Sequence, residues 1–148
     1  MPRVVRPGGR VLVIAYGDPH RIDFLDFFVR AIQTTVRPEF TGPPMEPPPL
    51  PFQLQDPQRL HEVMLDAGLS NVSVDTLTES TVFRSGEALR DWIVGSNPIV
   101  EEALTELNIS SQERDRIQET LTQLVRERAG KHGAATLTNP INIGIGTK

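Results

Sequence analysis

With 148 residues, of which 38% are hydrophobic and 23% charged, the chain is long enough for one domain with a real core. Its net charge of -4 gives no basic footprint, which argues against nucleic acid as a main partner. It has no cysteine, which excludes disulfides, thiolate metal sites and a cysteine nucleophile, and fits a reducing, cytoplasmic setting.

Arg6-Pro7-Gly8-Gly9 reads as a turn, proline presetting one position and glycine permitting positive φ at another. It feeds Val11-Leu12-Val13-Ile14-Ala15, an all-apolar run expected to be a strand buried on both faces, as in a parallel sheet covered by helices. The run is too short for the apolar core of a signal peptide, and no stretch approaches the roughly 18 apolar residues of a membrane span. Asp18-Pro19 has the form of an N-cap and first helical residue. From His20 to about Thr35 the spacing of Ile22, Phe24, Leu25, Phe27, Phe28, Ala31 and Ile32 predicts a helix with a wide, aromatic face.

Residues 38–51 contain seven prolines, so this stretch is expected to be an extended or looping segment, or a proline-rich ligand for a partner. Asp56-Pro57 repeats the cap signature. Leu60, Val63, Met64 and Ala67 then share a helical face, with Gly68 at the C-terminal cap. Val72, Val74 and Thr76 alternate as a strand that runs on toward Phe83. Ser85 caps a helix carrying Leu89, Trp92 and Ile93, which Gly95-Ser96-Asn97-Pro98 ends. A short helix with Ile99, Val100, Ala103, Leu104 and Leu107 follows. Ser110 and Glu113 form a capping box for a helix carrying Ile117, Leu121, Leu124 and Val125. Ile141, Ile143 and Ile145 alternate with Asn142, Gly144 and Gly146 in a last strand. The order is strand, helix, loop, helix, strand, three helices, strand: an α/β pattern with three strands.

Chemistry-bearing groups are sparse. His20, His61 and His132 are scattered and read as surface or cap residues, so no metal site is expected. Gly144-Ile145-Gly146-Thr147-Lys148 lacks the order of a phosphate loop, and no helix follows it. Glu101, Glu102 and Glu106 form a solvated face, and Ser110-Ser111 is explained by capping. Phe24, Phe27 and Phe28 either line a hydrophobic pocket or form plain core. The turn after the first strand, Tyr16-Gly17-Asp18, has a topological argument, because open α/β sheets bind ligands beyond the carboxyl ends of their strands.

The stretch from Met1 to Ile14, ending in Arg6-Pro7-Gly8-Gly9-Arg10-Val11-Leu12-Val13-Ile14, resembles the entry to the fifth strand of class I S-adenosylmethionine-dependent methyltransferases. Phe52-x-Leu54-x-Asp56-Pro57-x-x-Leu60, then Asp66-Ala67-Gly68-Leu69 and Val72-x-Val74, is similar to that family's next helix and sixth strand. The terminal strand resembles its seventh, antiparallel strand. The likeness covers the chain end to end and is closest to the quinone-biosynthesis-like branch.

The resemblance implies an α/β fold. It would be the last three strands of a partial Rossmann-like methyltransferase sheet, the final one antiparallel, with several packing helices. Residues 1–148 would then be one C-terminal half-domain, with the 38–51 loop inside it. The family's acidic-Gly-x-Gly-x-Gly cofactor loop and the acidic residue ending its second strand have no counterpart here. S-adenosylmethionine, the family cofactor, is therefore not expected to bind this chain alone, and no residue stands out as a methyl-transfer catalyst.

Tyr16, Gly17, Asp18, Phe24, Phe27 and Phe28 are the residues expected to shape a small-molecule acceptor pocket. Met1 falls where the family often has an internal methionine, as in a truncated chain, a late start or a split gene. The expected partner is a second copy, giving a dimer, or a missing N-terminal half. Two other readings stand beside this one: a non-enzymatic dimerisation or interaction module, and a small-ligand-binding domain using the phenylalanine face.

Overall fold

The computed structural model describes residues 5–42, 46–96, 100 and 104–148. They divide into two compact units. One is built from Met1–Ile22, Glu46–Glu79 and Asn139–Lys148, and the other from Asp23–Met45 and Ser80–Thr138.

The first unit is a sheet faced by a helix. Strands β1 (Arg10–Tyr16), β2 (Ser70–Phe83) and β3 (Ala135–Thr147) form a sheet of order β1-β3-β2, the last two continuing into the second unit. β1 and β3 are antiparallel, from Arg10 opposite Thr147 to Tyr16 opposite Ile141. β2 is antiparallel to β3 as well, since Ser70 bonds the Thr147 carbonyl and Thr76 bonds Asn142.

The turn into β1 needs both glycines. Gly8 has φ 79°, and a Cβ on Gly9 would stand 2.6 Å from Val5 Cγ1 and 2.9 Å from the Arg6 carbonyl oxygen. The Gly8 N–H reaches the Lys148 carbonyl at 2.6 Å, tying the turn to the end of β3.

Helix α1 (Asp23–Thr35) belongs to the second unit, and α2 (Pro57–Asp66), capped by Asp56, to the first. Leu60 and Met64 of α2 form a core with Val11 and Leu69, against which Val13, Val72 and Val74 pack. α2 sits so close to β3 that a Cβ on Gly144 would collide with Met64 Sδ, and the segment after the helix is as near, a Cβ on Gly146 lying 3.1 Å from Leu69 Cβ.

The packing sets the phase of β3 and reverses the expectation for β1. In β3 it is Asn142, Gly144 and Gly146 that turn toward the helix and are buried, while Ile141, Ile143 and Ile145 lie half-buried on the other face. β1 is not buried on both faces and does not lie in a parallel sheet. Leu12 is 57% and Ile14 61% exposed, opposite Ile145 and Ile143. Close packing of a helix against one face demands small residues there, so the bulkier aliphatics of β3 point away.

The second unit is helical, made by α1, α3 (Gly86–Ser96) and α4 (Ser111–Ala129), with residues 100 and 104–106 also helical. Asp18-Pro19 does not start α1. It caps a single 3₁₀ turn, Pro19–Arg21, after which Ile22 is extended and α1 begins at Asp23. Ser85 caps α3, its hydroxyl accepting from Ala88 N–H at 3.1 Å. Ser110 and Glu113 complete the capping box of α4, which buries Ile117, Leu121, Val125 and Ala129 against α1 and α3, with Leu124 half-buried beside them. Of the short helix expected between α3 and α4, Ile99 and Ala103 lie outside the described residues and Leu107 falls in a turn. Within the proline-rich stretch, residues 38–42 and 46–49 are irregular and the Leu50–Phe52 3₁₀ turn begins at its end, while residues 43–45 lie outside the described residues.

Candidate functional site

The turn after β1 is built by Tyr16, Gly17 and Asp18, each with a structural engagement. The Tyr16 ring packs against buried Phe52 at 5.5 Å between centroids. Burial, and then the charge of Glu79, raise its hydroxyl above the ordinary tyrosine pKa, so it remains a neutral donor and acceptor at physiological pH. The Gly17 N–H donates to the Pro140 carbonyl at 2.8 Å, and a Cβ there would approach Pro140 Cβ to 2.9 Å. The Asp18 carboxylate accepts from His20 N–H at 2.9 Å as a turn cap.

The three phenylalanines of α1 lie in the other unit. All are buried. Phe24 packs edge-on to Trp92 at 5.0 Å, and Phe27 carries the Arg128 guanidinium 5.4 Å above its ring. Those two are core. Phe28 alone of the three reaches the wall of a cavity of about 490 Å³, which Ile93, Val100, Leu104, Ile117 and Leu121 also line. Of the six residues expected to shape an acceptor pocket, one therefore faces this cavity.

Several polar residues escape a reading of the sequence. Asp23 accepts from Thr138 N–H at 2.7 Å and its hydroxyl at 2.9 Å, and pairs with Arg128 at 3.3 Å. Burial pushes its carboxyl up, but these bonds outweigh that and hold it below the ordinary aspartate value. Asn142 is fully buried and satisfied. Its Nδ2 donates to the Leu54 and Gln55 carbonyls at 3.1 and 2.8 Å, and its Oδ1 accepts from the Thr76 hydroxyl at 2.8 Å. In contrast, the buried oxygens Gln118 Oε1 and Asn139 Oδ1 have no partner. The alternation with isoleucine placed Asn142 on one face with Gly144 and Gly146, without saying which way that face turns. Nothing local marks Gln118.

Among the described residues, no cluster of histidine and carboxylates could hold a metal ion, and no helix is long and apolar enough to cross a membrane. No protein-family model matches the chain, and no curated protein matches it either.

Proposed function

We propose that the chain is the C-terminal half of a class I S-adenosylmethionine-dependent methyltransferase, which completes the sheet and helps to shape the acceptor pocket. The observation that carries this reading is the antiparallel pairing of β3 with β1 behind the Pro-Gly-Gly turn, as the sequence resemblance implies for the final strand. The cofactor half is a different matter. Gly144 and Gly146 are the one closely spaced glycine pair inside a strand, and their open side is filled by Met64, Leu60, Leu69 and Val72. A nucleotide cofactor has no cradle there, so no step of transfer is assigned to this chain's residues. In such a reaction, positioning of acceptor against cofactor supplies most of the catalysis.

The test is to read the coding sequence upstream of the Met1 codon and to express the chain with any in-frame segment found there. A glycine loop upstream, and one equivalent of S-adenosylmethionine bound by the extended protein, is the expected result. No such frame would remove the reading. Titration calorimetry on the 148-residue chain alone should give no cofactor heat, and tight one-to-one binding would contradict the missing cradle.

A second reading, a self-associating interaction module, is favoured by one observation. Among the described residues β1 has a strand on one side only, and its edge carries no proline or inward charge from Val11 to Ala15. Leu12 and Ile14 stand exposed on it, and Leu77 of β2 is 51% exposed. Unprotected edges of this kind pair with other chains. Sedimentation velocity should report dimers or larger species for the chain, and a monomer for the double variant Leu12→Lys, Ile14→Lys. A monomeric parent chain at high concentration would rule this association out.

A further inference from the structure

The cavity in the helical unit has the size of a small-molecule site and a wall of uniform character. Phe28, Ile93, Val100, Leu104, Ile117 and Leu121, all buried residues, supply its apolar lining. Volumes of this order are those of ligand pockets rather than packing defects. Four charged residues lie around it, Arg90 and Asp91 from α3 and Arg114 and Asp115 from α4. Two are positive and two negative, and Arg90 is already paired with Asp91 at 2.6 Å. Among the described residues these charges balance and offer a charged ligand no net field to follow.

Among the described residues, one uncharged polar side chain belongs to the wall, Gln118. Its orientation is fixed by its neighbour. The Thr122 hydroxyl donates its proton to the Gln118 backbone carbonyl at 2.9 Å, so toward the side-chain amide it can only accept. It takes Gln118 Nε2 at 3.3 Å. The amide nitrogen is thereby held at Thr122, and Oε1 is the end left without a partner and out of reach of water. Thr122 itself sits at a close approach of α3 and α4, its backbone against Gly86. A buried acceptor left unpaired is costly, and one such group beside a largely apolar cavity offers a place for a single donor.

We propose that this cavity binds an uncharged, largely apolar small molecule carrying one hydroxyl or N–H, which donates to Gln118 Oε1. As it stands Oε1 is shut off from the open space of the cavity, so binding includes a rotation of the terminal amide that gives up the 3.3 Å bond of Nε2 to Thr122 in exchange for the bond from the ligand. The proposal stands independently of the transferase reading, and applies equally if the chain is an interaction module.

The probes are 1-naphthol and 1-methoxynaphthalene, which share an apolar body and differ in the donor. Equilibrium dialysis against the 148-residue chain at neutral pH should show saturable one-to-one binding of both, with 1-naphthol favoured about fivefold to tenfold, the worth of one buried hydrogen bond. Gln118→Leu should keep 1-methoxynaphthalene and lose the preference. Val94 also borders the cavity but is 41% exposed, so Val94→Trp should close the mouth without disturbing the core, and weaken both probes at least tenfold. Leu104→Trp serves the same purpose if that variant fails to fold. Absence of saturable binding, or binding unchanged by the blocking variant, overturns the site. A preference for 1-naphthol that survives Gln118→Leu overturns the assigned acceptor.

Discussion

Replacing Gly86 by alanine should destabilise the helical unit by about 3 kcal/mol, the upper range for overpacking a close contact. A Cβ at this position would run into the Cα, backbone nitrogen and Oγ1 of Thr122. Most of that obstacle is main chain of α4, which cannot rotate away as a side-chain tip can. The collision therefore has to be relieved by moving one helix, which would undo the burial of Leu89 and Ile93 on one side and Leu121 on the other. Gly95, in the same helix, is the internal control. Among the described residues nothing lies within 4 Å of the position its Cβ would take, so Gly95→Ala should gain up to about 1 kcal/mol from helix propensity. Opposite signs for two identical substitutions nine positions apart, read by chemical denaturation, distinguish steric contact from propensity. A neutral Gly86→Ala would mean that α3 and α4 do not cross closely there.

The second large effect is expected at Asn142. This residue joins β3 to the segment entering α2 by two donated bonds, and to β2 by one accepted bond. Asn142→Leu should cost about 3 kcal/mol, because the carbonyls of Leu54 and Gln55 lose their partner inside the fold while the Thr76 hydroxyl loses its acceptor. Asn142→Asp makes a sharper test. It has the same shape, but an ionised carboxylate would face two carbonyl oxygens, and that arrangement raises the carboxyl pKa above its unfolded value of about 4. A raised folded pKa means that the deficit is smallest at low pH, where the group is protonated and can donate. The deficit then grows as pH rises through the unfolded value, until the folded group also ionises. Denaturation midpoints of the parent and Asn142→Asp measured between pH 4 and 8 should therefore diverge with increasing pH. Parallel curves would show that the Nδ2 bonds contribute little.

How far these features could be foreseen depended on whether their cause is local. The capping box at Ser110 and Glu113, the caps at Asp56 and Ser85, and the turn at Gly8-Gly9 each depend on a few adjacent residues and were legible. The phase of β3 was not. Alternating isoleucine with glycine and asparagine reads naturally as isoleucine inward, and only the approach of Leu60 and Met64, more than seventy residues upstream, selects the opposite face. β1 misled in a related way. Five consecutive apolar residues imply cover on both sides, yet two of them, Leu12 and Ile14, are open to solvent on an edge strand.

The candidate site followed the same rule. An aromatic helix face was visible in the spacing of Phe24, Phe27 and Phe28, but which ring meets a cavity is decided by α3 and α4. Gln118 carried no signal at all, since its meaning comes from what Thr122 does with one proton.

The order of strands in the sheet bears on how the chain comes to be folded. β3 lies between β1 and β2 yet is made after both of them. During synthesis β1 and β2 emerge with nothing to join them, and Arg10 waits for a partner, Thr147, that lies at the far end of the chain. The α3–α4 pair of the second unit, whose contacts are nearer in sequence, is under no such delay. Closure of the sheet is thus a late, long-range event whose loop entropy is met all at once. A polypeptide interrupted before β3 would carry β1 and β2 without the strand that binds them.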